Sequence, residues 1–457
     1  MKKNPNLETV KVKCVDFTFD GQGVCKHNGR TIFVPSLLKG EEAEVSILYR
    51  KKDFDIGVIS KILKFSEFRC TPKCKCATAC GGCCFQNLEY SKELEYKRGV
   101  AVDTIKRIAN IDASKAEIFG MKEPYYYRNK VQVPFGYDKR RRLVYGFYRF
   151  KSHDIVPISE CVIEDKAHVK ILSTIARLMK ELDIKAYNED TRKGDIRHIL
   201  LRVGKVSKEV MVVIIATSNK FKNKNTLSKA LVKTCPEITT VVLNVNDRQT
   251  NVILGEREEI LYGKGFIEDE LLGVKFRISP KSFYQVNHDQ CEVLYSLAFK
   301  EADLQKTDVL LDAYCGIGTI GLTASKKVKE VIGVEIVSDA IKDAKLNAKI
   351  NNIHNAKYFC MDASEFVFNN KFDCVIVDPP RKGLDEKFLN SLIKSAPKKL
   401  VYISCDVGTL ARDLKILKEY FDIKSINFVD MFPRTFHVET VVSLTKKNLK
   451  TQKPRKN

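Results

Sequence analysis

A chain of 457 residues, 44% of them hydrophobic, is long enough for two or three globular domains with cores of their own. Its 79 Lys and Arg against 57 Asp and Glu leave a formal charge of +22, which points to a polyanionic partner, nucleic acid before an anionic membrane surface. No apolar run approaches the roughly 20 residues of a membrane span and the start is polar, so a spanning or secreted protein is not expected and a cytoplasmic one is.

Residues 1–65 read as short strands. Val10-Lys11-Val12-Lys13 and Glu44-Val45-Ser46-Ile47 alternate, and Asn28-Gly29 is a hairpin turn before Thr31-Ile32-Phe33-Val34. A five-stranded barrel of the oligonucleotide-binding kind fits this length and charge, and such barrels commonly bind RNA. A bland β-domain with a solvated face fits nearly as well. Residues 66–90 are a loop without periodicity that carries Cys70, Cys74, Cys76, Cys80, Cys83 and Cys84. In a reducing compartment such clustering points to metal rather than to disulfides. The spacing Cys74-x5-Cys80-x2-Cys83 supplies three thiolates on a tight turn, and zinc and an iron–sulfur cluster both accept them. A fourth donor must come from elsewhere. Cys161 is the candidate, its alternative being a core cysteine at a helix start.

Residues 91–276 read as a central α+β region, entered through a charged helix over residues 90–108. Lys139-Arg140-Arg141-Arg142 forms the basic tip of a hairpin flanked by aromatic residues, a combination suited to phosphate contact with base stacking. A charged tip is also what a merely solvated turn carries. The lysine-rich end, residues 445–457 with the tail proper at 448–457, is expected to be disordered.

Across residues 277–447, strands and helices alternate from Lys306 on, which predicts a parallel, doubly wound, Rossmann-like α/β sheet. Val309-Leu310-Leu311-Asp312 is a buried strand, followed by a glycine-containing turn through Gly316, Gly318 and Gly321 into a helix, a place where backbone approaches a ligand closely. Glu335 ends the next strand at a distance suited to ribose hydroxyls, and Asp362 ends the third near an adenine edge. The fourth runs into Asp378-Pro379-Pro380-Arg381. Strands over residues 426–431 and 437–444, joined through Pro433, read as an antiparallel end typical of a methyltransferase sheet.

In amino-group methyltransferases the tetrad after strand four ends in an aromatic; here it is Arg381, which favours attack at carbon. Uracil C5 is a poor nucleophile until a thiolate adds to C6, so carbon methylation needs a thiol and a base. Cys405, at the end of the strand Val401-Tyr402-Ile403-Ser404, is placed to be that thiol. A buried strand cysteine is the alternative, and it is kept for Cys315, Cys360 and Cys374. Glu439 is the candidate base, with His437 its rival.

With these residues assembled, the chain resembles the RNA uracil-5-methyltransferases of the RumA/TrmA type over nearly its full length. Six motifs carry the likeness: Cys-x5-Cys-Gly-Gly-Cys at Cys74, Cys80 and Cys83; Ser282-Phe283-Tyr284-Gln285-Val286-Asn287; Asp312 to Thr319; Asp378 to Arg381; Tyr402 to Cys405; and Met431 to Glu439. The resemblance implies an N-terminal TRAM domain and a [4Fe-4S] cluster on Cys74, Cys80, Cys83 and Cys161. It implies S-adenosylmethionine held by Gln285, Tyr314, Glu335 and Asp378, with Cys405 as nucleophile and Glu439 as base. Thr319 and Asp362 are further cofactor contacts at positions where relatives often have Asn, and Asp406 replaces a frequent Asn after the nucleophile. TRAM domain and cluster together suggest the large-subunit (23S) ribosomal RNA branch. The expected partner is therefore ribosomal RNA, with no obligate protein partner and a monomeric chain. A cytosine-5 RNA methyltransferase and a non-catalytic RNA-binding protein are the alternatives; the first usually carries Pro-Cys where this chain has Asp378-Pro379-Pro380.

Overall fold

The computed structural model describes residues 8–150, 152–248 and 251–447. Strands β1 (Thr9–Phe17), β2 (Gly23–His27), β3 (Arg30–Val34), β4 (Glu42–Arg50) and β5 (Phe54–Lys64) close into a barrel in the order β1-β2-β3-β5-β4. Val10, Val12 and Cys14 point inward and alternate with exposed Lys11 and Lys13, so a period of two decides which face becomes core. Asn28 and Gly29 adopt φ of 48° and 77°, the two positive values that a two-residue hairpin turn requires. Residues 65–89, the cysteine loop, contain no helix or strand.

Helix α1 (Tyr90–Ala109) and β6 (Ile118–Phe119) follow. They depart from the expected central region. Ala101, Ile105 and Ala109 on α1 recur every four residues and pack into the core of the C-terminal sheet, while β6 becomes that sheet's outer strand. The central unit begins with β7 (Lys130–Tyr137), β8 (Leu143–Tyr148), β9 (Ile155–Pro157) and α2 (Ala167–Glu181), and continues with β10 (Ile196–Val203), β11 (Val210–Ala216), α3 (Lys224–Thr234), β12 (Ile238–Val245) and β13 (Arg257–Tyr262). Its strands form one sheet ordered β13-β12-β11-β10-β7-β8-β9. All seven residues of β11 are buried, as expected of an apolar run covered on both faces. The basic hairpin tip falls between β7 and β8. There Asp138 accepts from the N–H of Arg140 and of Arg142, both at 2.9 Å, and pairs with the Arg142 guanidinium at 2.7 Å. Arg142 is thus used to close the turn, and Lys139, Arg140 and Arg141 face solvent.

A short hairpin, β14 (Ile267–Leu271) and β15 (Val274–Ile278), leads into the C-terminal unit. That unit runs α4 (His288–Ala302), β16 (Val309–Ala313), α5 (Thr319–Ala324), β17 (Glu330–Glu335), α6 (Ser338–Ile350), β18 (Ala356–Cys360), α7 (Ala363–Asn369), β19 (Cys374–Val377), α8 (Glu386–Ser395), β20 (Lys399–Ser404), α9 (Val407–Leu417), β21 (Phe421–Val429) and β22 (Glu439–Lys446). The sheet order is β18-β17-β16-β19-β20-β22-β21-β6. The first five strands are parallel and β22 is antiparallel to both neighbours, which is the expected α/β sheet with an antiparallel end. The bounds of the last two strands shift: β21 spans Phe421–Val429 rather than 426–431 and β22 spans Glu439–Lys446 rather than 437–444, so the lysine-rich run from Thr445 starts inside β22. Residues 448–457, the expected tail, lie outside the described residues. Among the described residues no helix is long and apolar enough to cross a membrane.

Candidate functional site

The chain reverses its winding between β16 and β19, and at such a switch point the strand ends open into a crevice. A cavity of about 700 Å³ lies there, and Gln285, Tyr314, Thr319, Glu335, Asp362, Asp378, Cys405 and Glu439 all line it. These are the eight non-metal residues singled out from sequence, drawn from across 155 positions of chain.

The turn after β16 is shaped for a ligand. Tyr314 takes φ 65°, unusual for a residue with a side chain, and its ring lies 5.3 Å from that of Phe388. Gly318 precedes α5 at φ 83°, where a Cβ would come within 2.6 Å of the Tyr358 hydroxyl, so only glycine fits. The Glu335 carboxylate accepts from the N–H of Gly316 at 3.3 Å and of Val337 at 3.0 Å, which holds it at the rim. The Thr319 hydroxyl is 2.9 Å from that of Tyr295. Asp362 caps α7, one oxygen accepting from Ser364 N–H at 2.8 Å, so the other oxygen alone is left for a ligand. Gln285 is held through its carbonyl, which accepts from Asn129 Nδ2 at 3.1 Å, and its side-chain amide has no partner among the described residues.

Cys405 stands between the end of β20 and the start of α9. Asp406 caps that helix by accepting from Thr409 N–H at 2.9 Å, a task Asn performs equally well, so the departure from the more frequent Asn is conservative. Across the sheet, Ser404 pairs with Thr440, which sets Glu439 beside Cys405. Glu439 is 3% exposed, and its carboxyl makes no hydrogen bond with a described residue. His437 is differently placed: its Nε2 is 3.2 Å from Arg381 Nη2, so it must accept there and carry its proton on Nδ1.

The charges at this end of the cavity oppose one another. Burial pushes the Glu439 carboxyl up to about 8, with the Asp378 charge adding to it and Arg381 working against it. Burial raises Asp378 to about 7. Cys405 is pushed up to about 12 by burial, then by Glu439 and Asp378, again against Arg381. His437 is pressed down to about 4, first by burial and then by Arg381. The resting site therefore holds a neutral thiol and a carboxyl that gives up its proton only near pH 8.

These shifts carry a stability consequence. A carboxyl with a folded value near 8 and an unfolded value near about 4.3 favours the folded state below the unfolded value, and that contribution is lost as pH rises toward 8. Glu439→Gln is accordingly expected to raise the melting temperature at pH 8.5 by a few degrees relative to the parent, on the order of 1–2 kcal/mol, and to leave it nearly unchanged at pH 4.5. Thermal scans at both pH values check this; an equal shift at both would remove the charge as its cause.

Sequence reading missed three participants. Phe283 and Phe432 line the cavity, and Phe283 is 65% exposed, a large aromatic held in the open inside the motif that supplies Gln285. Arg381 was read only as an aromatic lost, whereas it is the cation whose charge acts on both Glu439 and Cys405. An arginine directly after Asp-Pro-Pro was the available signal for it.

A second cavity, of about 310 Å³, is lined by Cys74, Cys80, Cys83 and Cys161 together with Cys76. Cys161 lies in the loop before α2 and not at a helix start. Two surplus thiols turn elsewhere, Cys70 toward the Gln86 carbonyl at 3.7 Å and Cys84 toward that of Arg434 at 3.9 Å, whereas Cys76 is on the cavity wall, 3.7 Å from the Pro157 carbonyl. Among the described residues no three His, Cys, Asp or Glu side chains converge as a single metal ion would need. One zinc requires four donors about 2.3 Å from a common point. Thiolates are donors both for zinc and for an iron–sulfur cluster, and the four cysteines that share this cavity are the residues that would hold either.

A doubly wound sheet with a glycine turn, two rim acids and a largely apolar cavity with a few convergent polar groups across its carboxyl edge defines an α/β enzyme that takes a nucleotide-like ligand. Residues 89–447 match the family described as tRNA (Uracil-5-)-methyltransferase. An RNA methyltransferase of Oceanobacillus iheyensis, itself uncharacterized, is 41% identical over 440 residues, covering 94% of this chain and 95% of that protein. One of Staphylococcus aureus strain MSSA476 is 40% identical over 433 residues, covering 93% and 96%. Among solved structures, the tRNA (uracil-54, C5)-methyltransferase of Pyrococcus abyssi, in complex with S-adenosyl-L-homocysteine, superposes with a TM-score of 0.77 at 29% identity, covering 95% of this chain and all of that one. The chain belongs to the RNA uracil-5-methyltransferase family.

Proposed function

We propose that this protein transfers the methyl group of S-adenosylmethionine to C5 of uridine in large-subunit (23S) ribosomal RNA. The observation that carries the reading is the meeting of Cys405 and Glu439 in the cavity that also receives Gln285, Tyr314, Glu335 and Asp378. S-adenosylmethionine bound there would supply an electrophilic methyl group on a sulfonium. Glu335, already oriented by two backbone N–H groups, would accept from the ribose hydroxyls, and Gln285 and Tyr314 would hold the remainder of the cofactor.

The target base must leave its stack to reach this cavity, at a cost of a few kcal/mol, least in an unpaired loop. Exposed Phe283 at the rim offers a face for a displaced base. The Cys405 thiol gives its proton to solvent and its sulfur adds to uracil C6; the electron pair displaced from the C5–C6 double bond forms an enolate over C5 and O4, and C5 is then the nucleophile that takes the methyl group. Glu439 as carboxylate then removes the C5 proton, the C6–S bond breaks and the electron pair returns to Cys405. Arg381 supports the anionic thiolate. Glu439 is favoured over His437 as base because its carboxylate has no other partner, while the His437 lone pair is engaged by Arg381.

Cys74, Cys80, Cys83 and Cys161 are proposed to hold a [4Fe-4S] cluster. Anaerobically isolated protein is expected to contain about four irons per chain and to absorb in the visible; stoichiometric zinc without that absorbance would overturn the cluster. The barrel and the β7–β8 hairpin are proposed as RNA contacts. Replacing Lys139, Arg140 and Arg141 with Gln should weaken RNA binding and reduce the slope of log affinity against log salt by about 2, with donor affinity unchanged; an unaltered slope would mean the tip is only solvated.

A transfer RNA target is the second reading. The Pyrococcus enzyme named for tRNA is matched over 95% of this chain, an extent that must include most of the barrel, so the barrel alone does not select ribosomal RNA. Mapping methylation in a strain lacking the gene separates the two. Loss of 5-methyluridine from 23S ribosomal RNA supports the proposal, and its loss from transfer RNA instead replaces it.

A further inference from the structure

In the segment that leads into Glu439, each carbonyl of residues 430–434 accepts from a distant part of the chain. The Asp430 carbonyl accepts from Gln290 Nε2 at 3.1 Å, that of Met431 from Asn287 Nδ2 at 3.0 Å, that of Phe432 from Lys97 Nζ at 3.2 Å, and that of Pro433 from Tyr127 Oη at 2.9 Å. The Arg434 carbonyl accepts two N–H groups, those of Cys84 at 3.0 Å and Phe85 at 3.1 Å, and both belong to the cysteine loop.

Arg434 is the centre of this arrangement. It sits at φ 70° and is 4% exposed. Its own N–H donates to Glu93 Oε1 at 2.6 Å, and its Nη1 donates to the Leu88 carbonyl at 2.8 Å and to Glu93 Oε2 at 3.4 Å. The guanidinium lies over the Tyr125 ring, 4.9 Å from its centroid. Glu93 pairs with Lys97 at 2.8 Å and Lys97 with Asp430 at 2.7 Å, so two cations and two anions close a buried circuit from α1 to the end of β21. A left-handed residue with a long side chain persists only where its surroundings over-determine it. A buried circuit of this kind contributes little net stability compared with an apolar core, and what it supplies is a unique geometry.

We propose that Arg434 is a positioning residue for Glu439, and that through the Arg434 carbonyl the cysteine loop sets where that carboxylate stands. The proposal rests on Glu439 being the base. Proton removal from carbon is sensitive to misplacement of the base by about 1 Å, whereas methyl transfer depends on Cys405, Tyr314, Glu335 and Asp378, which stand at the ends of β20, β16, β17 and β19. Loosening the segment should therefore slow elimination and leave methyl transfer nearly intact.

The test is the charge-neutral pair Arg434→Met with Glu93→Gln, which removes one cation and one anion of the circuit together. In single-turnover quench experiments with labelled S-adenosylmethionine and RNA, the methylated protein–RNA adduct is expected to accumulate and to decay about 10- to 100-fold more slowly than in the parent, with the donor KM unchanged. Arg434→Lys, which keeps the charge but not the fork, should decay at an intermediate rate. Hydrogen exchange over residues 430–438 supplies a readout independent of activity: Cys83→Ser should accelerate it. Parental decay in the folded double variant would overturn the role of Arg434, and parental exchange in Cys83→Ser would overturn the link to the cysteine loop. Glu439→Gln, run alongside, isolates the premise. If it accumulates no adduct, the base assignment itself fails; if it does while the Arg434 variants decay normally, only the positioning role is lost.

Discussion

Cys405→Ala is expected to lower kcat by at least about 10⁴-fold while S-adenosylmethionine binding stays within about twofold of the parent. The size of the effect follows from the substrate: without a sulfur on C6 there is no electron-rich C5 to take a methyl group, and no residual route remains through the other groups in the cavity. Donor affinity should survive because Gln285, Tyr314, Glu335 and Asp378 stand on other elements, and the α9 cap at Asp406 does not involve the thiol. Cys315 is the other cysteine on this wall, but its thiol is turned to the Gly316 carbonyl at 3.8 Å and it is buried. Label incorporation and calorimetric donor binding measure the two halves of the prediction. With RNA containing 5-fluorouridine, the parent should form a covalent adduct that withstands denaturation, and the variant none. An adduct that persisted in Cys405→Ala would move the nucleophile elsewhere.

Glu439→Gln is expected to lower turnover by about 10³-fold and to do so at a different step. Addition and methyl transfer proceed once, the C5 proton stays, and the methylated adduct remains on the protein. The same carboxyl accounts for pH dependence. Its pKa is raised to about 8, so the fraction available as a base grows as pH rises, and the parental rate of adduct decay in a single turnover should climb between pH 6 and pH 8 and then level. His437, at about 4, would instead give a rate already level at pH 6. A variant with parental turnover, or a flat parental profile, would return the role to His437.

Much of this site was legible in the chain because its parts are local. An alternating run reads as a barrel strand, Asn28-Gly29 reads as its turn, and a glycine turn or a strand-end acid can be placed without knowing what lies opposite. What was not legible is what depends on distant partners. The two-residue β6 has no periodicity to detect, and it pairs with β21 through Ile118 and Phe428, more than 300 positions apart. Arg434 and Glu93 are 341 positions apart, and either alone reads as an ordinary surface charge. The contact of Arg381 with His437 likewise joins two motifs that were read separately. Cys161 is intermediate: its chemistry nominated it, but only the fold brings it to the wall shared by Cys74, Cys80 and Cys83. Asp362 and Asp406 show a further limit, since a side chain read from sequence as a ligand contact or a substitution also serves as a helix cap.

The most direct test of the account is nucleoside analysis of RNA incubated with the purified protein and methyl-labelled S-adenosylmethionine. After digestion and mass spectrometry, the label is predicted to appear in 5-methyluridine, and to be absent when Cys405→Ala replaces the parent. Label in 5-methylcytidine or in any N-methylated nucleoside, or RNA bound without label, would contradict it.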